Sequence, residues 1–227
     1  MSEKPFDYWE FFADDARRIG SELYARLSEG VRDDADLRAM TVNAKRGQPH
    51  ANLLFGAVHF LLLRGTQHPL RAFYPDLNGG YAKEGDPFPV FRDFCMTHRA
   101  ALEPLINMRV TNTNEVGRSA ILHPGFRMAA QQANAPLYLI EIGPSAGLNL
   151  IWDDYGVNYH KDGKTIASIT PDAPLVIECE ARGEKVPPTG PAPQIAGRIG
   201  LELNPVDLSN DDDRDWLRAL MWPDQIP

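Results

Sequence analysis

The chain has 227 residues, of which 43% are hydrophobic and 24% are charged, and its formal net charge is -8 at pH 7. A chain of this length and composition is able to bury a hydrophobic core, in one large domain or two small ones. The acidic balance, without any block rich in lysine or arginine, argues against a surface built for nucleic acid or an anionic membrane.

The sequence gives no indication of export or membrane insertion. Its N-terminal residues are polar and acidic, unlike those of a secretory signal peptide. The most apolar run, Leu53 to Leu63, contains His59 and is too short to cross a bilayer. Cys95 and Cys179 lie far apart and match neither a disulfide framework nor a zinc pattern. We therefore expect a cytoplasmic protein without a metal site or a membrane partner.

Helical periodicity dominates the first 135 residues. Apolar residues recur at spacings of three and four from Phe6 to about Leu27, which predicts one amphipathic helix. The further predicted helices cover Ala35 to Lys45, residues 49–65 and parts of residues 90–108, with a short one after Pro124. The helix at 49–65 is apolar on nearly every side and is expected to lie centrally. No strand is predicted before residue 136.

The pattern changes at Pro136. Residues 137–142 are a short run of β-formers whose continuous apolar character fits a parallel strand covered on both faces. Residues 148–156 then predict a helix of about two and a half turns. A β-hairpin and another strand follow, and after a proline-rich surface segment GRIGLELNP predicts a second buried strand. A capped helix is predicted over residues 209–222.

The turn GPSAG, between the first strand and the helix after it, carries Gly143, Ser145 and Gly147 at alternate positions. Small residues there let a ligand approach the backbone. The dinucleotide pattern G-x-G-x-x-G is not met, because Ser145 and Leu148 stand at its second and third glycines, which disfavours NAD and FAD. The pattern G-x-S-x-G of the α/β-hydrolases is met, so a serine hydrolase stays open, although His160 is the only histidine after the serine.

A third pattern, E-x-G-x-G/S-x-G, resembles the first motif of class I S-adenosylmethionine-dependent methyltransferases, with serine at its middle glycine. The resemblance implies that S-adenosylmethionine is the cofactor. It also implies a site at this turn, whose residues here are Glu141, Gly143, Pro144, Ser145 and Gly147.

In such enzymes the next strand ends in an acid that accepts hydrogen bonds from the ribose hydroxyls. GRIGLELNP resembles that strand and places Glu202 at its end, with Glu178 and Glu180 as rivals. Together with the helical periodicity of residues 1–135, the resemblance predicts an α/β fold: a helical N-terminal domain over those residues, followed by an incomplete Rossmann-like, methyltransferase-type sheet in residues 136–227. In that sheet, about residues 156–196 form a β-hairpin insertion.

Four segments, TNEVGRSA, LIEIGPSAGLNLIWDDYG, GLELNPVDL and WLRALMWP, together resemble a bacterial family described as a domain of unknown function, across nearly the whole chain. Two or three parallel strands are fewer than the roughly five to six of a usual sheet. We therefore expect a C-terminally truncated chain, or a sheet completed by a partner.

Asn114, Glu115 and Arg118 are candidates for substrate binding, since Glu115 and Arg118 are three residues apart on one helical face. A surface ion pair is the other interpretation of that spacing. The implied function is methyl transfer from S-adenosylmethionine to an unidentified substrate, with no base or other catalytic residue indicated. The alternative is a non-catalytic, methyltransferase-like binding or scaffold protein. Nucleic acid is not expected as a partner, and the sequence leaves the oligomeric state open.

Overall fold

The computed structural model describes residues 6–113 and 115–225. It is a mixed α/β protein with eight α-helices and five strands in the described part. The α-helices are α1 (Tyr8–Arg18), α2 (Glu22–Asp33), α3 (Ala35–Met40), α4 (His50–Leu63), α5 (Phe88–Thr97), α6 (Arg99–Met108), α7 (Ser119–Ala133) and α8 (Asp211–Ala219). Short 3₁₀ helices cover Pro69–Phe73, Pro75–Leu77, Val116–Arg118, Leu148–Asp154 and Pro223–Gln225.

The chain divides into two compact units. The helical unit comprises residues 1–113 and 207–227, and the strand unit comprises residues 114–206. This division differs from the predicted boundary between residues 135 and 136, because α7 belongs with the strands and α8 with the other helices. Within the described residues, no helix is both long and apolar enough to span a membrane.

The single helix predicted from Phe6 to Leu27 is in fact two helices, α1 and α2. Gly20 separates them with a φ of +92°, a conformation that glycine adopts without the Cβ clash of other residues. Ser21 then caps α2 by accepting a hydrogen bond from the backbone N–H of Tyr24 at 3.4 Å. The glycine and the serine cap therefore end one helix and begin the next, although the apolar spacing continues across them.

Helix α4 forms the centre of the helical unit, as its apolar sequence predicts. Ten of its residues are buried, among them Phe55 and His59. Helix α8 packs against it at Gly56, where a Cβ would lie 3.0 Å from Leu220 and 3.6 Å from Trp216. The small residue thus allows α8 to approach the central helix closely.

The strand unit contains two small sheets. In the first, β1 (Leu137–Ile142) and β5 (Ile195–Leu201) are parallel, with Ile140 opposite Ile199. In the second, the order is β3-β2-β4, formed by β2 (Gly156–Lys161), β3 (Lys164–Ile169) and β4 (Val176–Glu180). The predicted hairpin is β2–β3, which is antiparallel, and β4 pairs with β2 in parallel.

Two predictions about this region are wrong. Strand β1 is not covered on both faces, since Leu139 is buried but Ile140 is 65% exposed. The segment after the turn is not a regular α-helix but the 3₁₀ helix Leu148–Asp154, with a kink at Ile151. A continuous apolar run predicts a strand but does not show whether other elements cover both of its faces. Apolar spacing over seven residues does not distinguish a 3₁₀ helix from an α-helix.

Helix α7 runs through Pro124 and does not begin after it. Proline has no N–H to donate to the carbonyl four residues earlier, which belongs to Ala120. That carbonyl instead accepts a hydrogen bond from the Tyr159 hydroxyl of β2 at 2.5 Å. A side chain of the sheet therefore satisfies the group that the proline leaves without a partner, and the helix continues.

Candidate functional site

The turn after β1 has an unusual backbone. Gly143, Ser145 and Gly147 have φ angles of +72°, +54° and +77°, all in the left-handed region. Glycine adopts this region freely, whereas serine is strained in it. The N–H of Gly143 donates to Leu201 of β5 at 2.9 Å, and that of Gly147 donates to Pro144 at 2.8 Å. The chain therefore bends back sharply while it stays attached to the neighbouring strand.

Glu202 follows β5 directly, and its carboxylate is bonded to the turn. Oε2 accepts from the backbone N–H of Ser145 at 3.0 Å, and Oε1 accepts from that of Asn204 at 3.1 Å. The hydrogen bond from Asn204 lowers the pKa of Glu202, burial opposes this, and the bond from Ser145 lowers it further. Glu202 is therefore ionised at neutral pH and links the carboxyl ends of two parallel strands.

The glycines of the turn leave space beside its backbone. A Cβ at Gly143 or Gly147 would meet no atom of the described chain within 4 Å. Gly200 of β5 is the opposite case, since a Cβ there would lie 2.6 Å from the ring of Pro144. Pro144 is thus buried against β5, whereas the predicted site residues Gly143, Ser145, Gly147 and Glu202 come together at the strand ends.

Glu141 lines a groove of about 410 Å³ beside β1 and α7. Leu122 and Phe126 contribute apolar side chains of α7 to this groove, and Asn149 contributes an amide. The atoms Oε2 of Glu141 and Oδ1 of Asn149 are buried and have no hydrogen-bond partner among residues 6–113 and 115–225. An unsatisfied buried acceptor costs about 1–3 kcal/mol, so both atoms call for a donor. Sequence reasoning missed Asn149, although it is a polar residue inside an apolar helical segment.

Of the predicted substrate residues, Glu115 and Arg118 lie at the two ends of a short 3₁₀ helix. Asn114 lies outside the described residues. Glu115 accepts a hydrogen bond from the N–H of Gly117 at 3.0 Å and so caps the 3₁₀ helix Val116–Arg118. No ion pair joins Glu115 to Arg118 in the described part of the chain. Their role in substrate binding stays a prediction.

The rival acids lie in the other sheet. Glu178 accepts a hydrogen bond from Asn158 at 3.0 Å and is paired with His160, both on β2. Those hydrogen bonds, the one from His160 first, lower the pKa of Glu178. Glu180 ends β4, which pairs with β2 and not with β1. Glu202 is thus the acid that follows the strand paired with β1.

The histidines of the strand unit do not offer Ser145 a base. His123 has Nε2 at 3.1 Å from the carbonyl of Tyr155 and Nδ1 at 2.8 Å from a guanidinium nitrogen of Arg127. The two ring nitrogens of His160 contact side chains of β3 and β4. Both nitrogens of each ring are therefore engaged elsewhere, which disfavours the arrangement of a serine hydrolase.

Further buried ionisable groups lie in the helical unit. Burial raises the pKa of the Cys95 thiol and those of the hydroxyls of Tyr24 and Tyr74. His59 is fully buried, with Nε2 at 2.8 Å from Asp76. Across residues 6–113 and 115–225, no group of three or more His, Cys, Asp or Glu side chains is placed to hold a metal ion.

Comparison with known proteins places the chain in a family. No curated protein and no solved structure matches the chain. A family model described as an uncharacterized protein conserved in bacteria (DUF2332) matches residues 7–227. Because that match covers almost the entire sequence, the chain belongs to the bacterial DUF2332 family.

Proposed function

We propose that the Gly143–Gly147 turn and Glu202 bind S-adenosylmethionine, and that the protein is a methyltransferase-like enzyme with a substrate still to be identified. The observation that carries the proposal is the ionised Glu202 carboxylate, held at 3.0 Å from the Ser145 N–H. It lies at the carboxyl ends of two parallel strands, where open α/β sheets bind their ligands.

The chemistry of the carboxylate suits a ribose hydroxyl. A carboxylate has four lone pairs, and the backbone N–H groups of Ser145, Asn204 and Leu203 donate to that of Glu202. One lone pair then remains to accept a hydroxyl hydrogen of the ligand. The open space at Gly143 and Gly147 lets the rest of such a ligand approach the backbone.

S-adenosylmethionine supplies an electrophilic methyl group when it is bound. The contribution of this chain would be to hold the ligand in place and exclude water, since positioning supplies much of the rate in a direct transfer. Glu141 precedes the turn, and its unpartnered Oε2 would accept from a donor on the ligand or from water. We assign no base.

Titration calorimetry with S-adenosylmethionine and S-adenosylhomocysteine tests the proposal. Glu202→Gln removes a charged acceptor whose hydrogen bonds are worth about 1.5–3 kcal/mol, so binding should weaken by about 10- to 100-fold. Glu178→Gln is the matched control, because Glu178 also accepts hydrogen bonds but lies in the other sheet. The proposal fails if the wild-type protein gives no heat with either ligand at millimolar concentration.

A pair of glycine variants separates ligand contact from backbone strain. Gly147 and Gly163 have φ angles of +77° and +71°, and a Cβ at either meets no atom of the described residues within 4 Å. Alanine should therefore cost similar stability at both positions, on the order of 1 kcal/mol. Gly147→Ala should also weaken binding, whereas Gly163→Ala, in the β2–β3 turn, should not. Equal binding by both variants would contradict a site at the turn.

The second candidate is a non-catalytic binding protein. The kinked 3₁₀ helix after the turn favours it, because it presents no regular helix N-terminus to a ligand, and the Ser145 N–H is already bonded to Glu202. Such a protein would bind S-adenosylmethionine but produce no S-adenosylhomocysteine during incubation with a bacterial metabolite extract. Labelling of Ser145 by a fluorophosphonate would instead support a hydrolase, which the histidine contacts disfavour.

A further inference from the structure

The first sheet has one covered face and one open face. Leu139 points to the covered side and is 7% exposed, and Gly200 packs there against Pro144 and Leu150. The alternate residues of β1 point to the other side, together with their register partners on β5. We call this side the open face, and it is formed by Tyr138, Ile140, Ile142, Ile199 and Leu201.

The open face is apolar and exposed. The exposed fractions are 62% for Tyr138, 65% for Ile140 and 84% for Ile142, and 43% and 54% for Ile199 and Leu201. An antiparallel sheet that faces water alternates apolar and polar residues, and a parallel sheet is normally covered on both faces. None of the five side chains is charged. A contiguous apolar surface of this kind marks an interaction site.

We propose that a second copy of this chain packs on the open face, so that two such sheets stack face to face in a symmetric dimer. At roughly 100 Å² of exposed apolar surface per large side chain, two open faces would bury on the order of 1,000 Å² in total, about the lower limit for a specific interface. The inference does not depend on the proposed cofactor site, which lies at the strand ends.

The composition of the open face favours a second copy over a charged partner. A two-fold axis places the same patch on both sides, and an uncharged patch with only the Tyr138 hydroxyl as a polar group complements itself without charged pairs. Two sheets stacked about 10 Å apart would interdigitate the five side chains of each copy. A sheet of two strands is also marginal in isolation, and stacking would give it the apolar layer it lacks.

The net charge of the chain makes the salt dependence diagnostic. Two copies of a chain with formal charge -8 repel each other. Salt screens that repulsion and does not weaken apolar contacts, so the dimer should become tighter as the salt concentration rises. An interface built from opposite charges would respond in the opposite direction.

Sedimentation velocity over about two decades of protein concentration tests the proposal. The wild-type protein should show a reversible monomer–dimer equilibrium. Ile142→Lys places a charge on the open face and should weaken the dimer by at least about tenfold, since an unpaired buried charge is costly. Ile142 is 84% exposed, so this variant should fold normally. Val186→Lys is the control, because Val186 is also exposed, at 58%, but lies between β4 and β5.

Cysteine cross-linking provides a second readout. Ile140→Cys in a Cys179→Ser background should form a disulfide-linked dimer faster than Val186→Cys in the same background. A wild-type protein that stays monomeric at every concentration overturns the proposal, as does an Ile142→Lys variant with wild-type dimerisation. Binding of an apolar dye by such a monomer would assign the open face to a different partner.

Discussion

Ser145 combines a strained backbone conformation with a hydrogen bond to Glu202. A non-glycine residue in the left-handed region costs roughly 1–2 kcal/mol, and Ser145 adopts a φ of +54°. Its N–H donates to the ionised Glu202, and hydrogen bonds to charged groups are the stronger ones. The bond offsets the strain and fixes the turn against the end of β5. Replacing Glu202 should therefore loosen the turn as well as weaken the proposed ligand contact.

His123 is the residue whose charge state should depend on folding. It is fully buried on α7, and its ring lies 4.7 Å from that of Trp152. Burial lowers the pKa of His123, the hydrogen bond to Tyr155 opposes this, and the nearby Arg127 lowers it further. The folded chain therefore holds the ring neutral, with Nε2–H donating to Tyr155 and Nδ1 accepting from Arg127.

Protonation of the unfolded chain should make the strand unit less stable in mild acid. The pKa of His123 in the folded protein lies below its unfolded value of about 6.5. The neutral ring therefore contributes fully to the free energy of unfolding above about pH 6.5, and this contribution is lost as the pH falls through the folded pKa. Uptake of one proton changes the free energy of unfolding by at most about 1.4 kcal/mol per pH unit. Urea unfolding followed by the fluorescence of Trp152, with the other tryptophans replaced by phenylalanine, measures it.

The matched variant is His123→Gln, whose amide keeps one donor and one acceptor but does not titrate. Its free energy of unfolding should depend less on pH than that of the wild type between about pH 7 and pH 5. Parallel curves for the two proteins would show that His123 is not the titrating group.

At the scale of elements, β5 depends on close approach at one residue. Gly200 lies beneath Pro144 and Leu150, and a Cβ there would come within 2.6 Å and 3.3 Å of their side chains. The ring of Pro144 therefore packs directly on the strand backbone. Gly125 of α7 is the contrasting glycine, because a Cβ there meets nothing within 4 Å and its φ is not positive.

Two alanine variants should accordingly change stability in opposite directions. Gly200→Ala forces Pro144 away from β5 and should destabilise the protein by about 1–3 kcal/mol, as overpacking does. Gly125→Ala should stabilise it by about 0.5–1 kcal/mol, because it restricts the unfolded chain and fits the helix. Chemical denaturation of both variants measures the two effects. A neutral Gly200→Ala would contradict the packing described here.

Sequence patterns predicted elements best where a single physical cause dominated. Helix α4 was predictable from its apolar content, and the parallel strands β1 and β5 from their β-forming residues. The break at Gly20 was not, because the apolar spacing of α1 continues into α2. The coverage of β1 was not either, since coverage depends on what lies above Ile140 and not on Ile140 itself.

The arrangement of the candidate site was predictable to a similar extent, and its role in binding stays a prediction. The turn followed from the spacing of Gly143 and Gly147, and the choice of Glu202 followed from the strand before it. The inward packing of Pro144 could not be read from the sequence, because it depends on Gly200, more than fifty residues later in the chain. A role for Asn149 was not predicted either, because only the burial of its amide oxygen in the structure distinguishes it from other polar residues.

At the scale of the whole molecule, the helical unit is formed from two separate parts of the chain. Trp216 of α8 donates its indole N–H to the carbonyl of Val110 at 2.8 Å. Asp224 accepts from the Ser21 hydroxyl at 2.6 Å and from the N–H of Leu23 at 3.1 Å. The main buried cluster of this unit includes residues from both parts and none from the strand unit.

The helical unit should therefore fold without residues 114–206. Since Val110 and Trp216 are in contact, a short glycine–serine linker is long enough to join the two parts. We expect this shortened protein to keep its helical circular dichroism and a cooperative thermal transition. A chain ending at residue 206 should lose that transition, because α8 no longer covers Gly56. Loss of the transition in both proteins would show that the helical unit needs the strand unit.

The split helical unit has a consequence for biosynthesis. A ribosome synthesises α1 to α6 first, but the hydrophobic core of the helical unit is incomplete until Trp216 of α8 has left the exit tunnel. The strand unit is continuous and is complete in the nascent chain earlier. During that delay the unfinished interior remains exposed to chaperones and to other nascent chains, and its closure by such distant segments should be the slow step of folding.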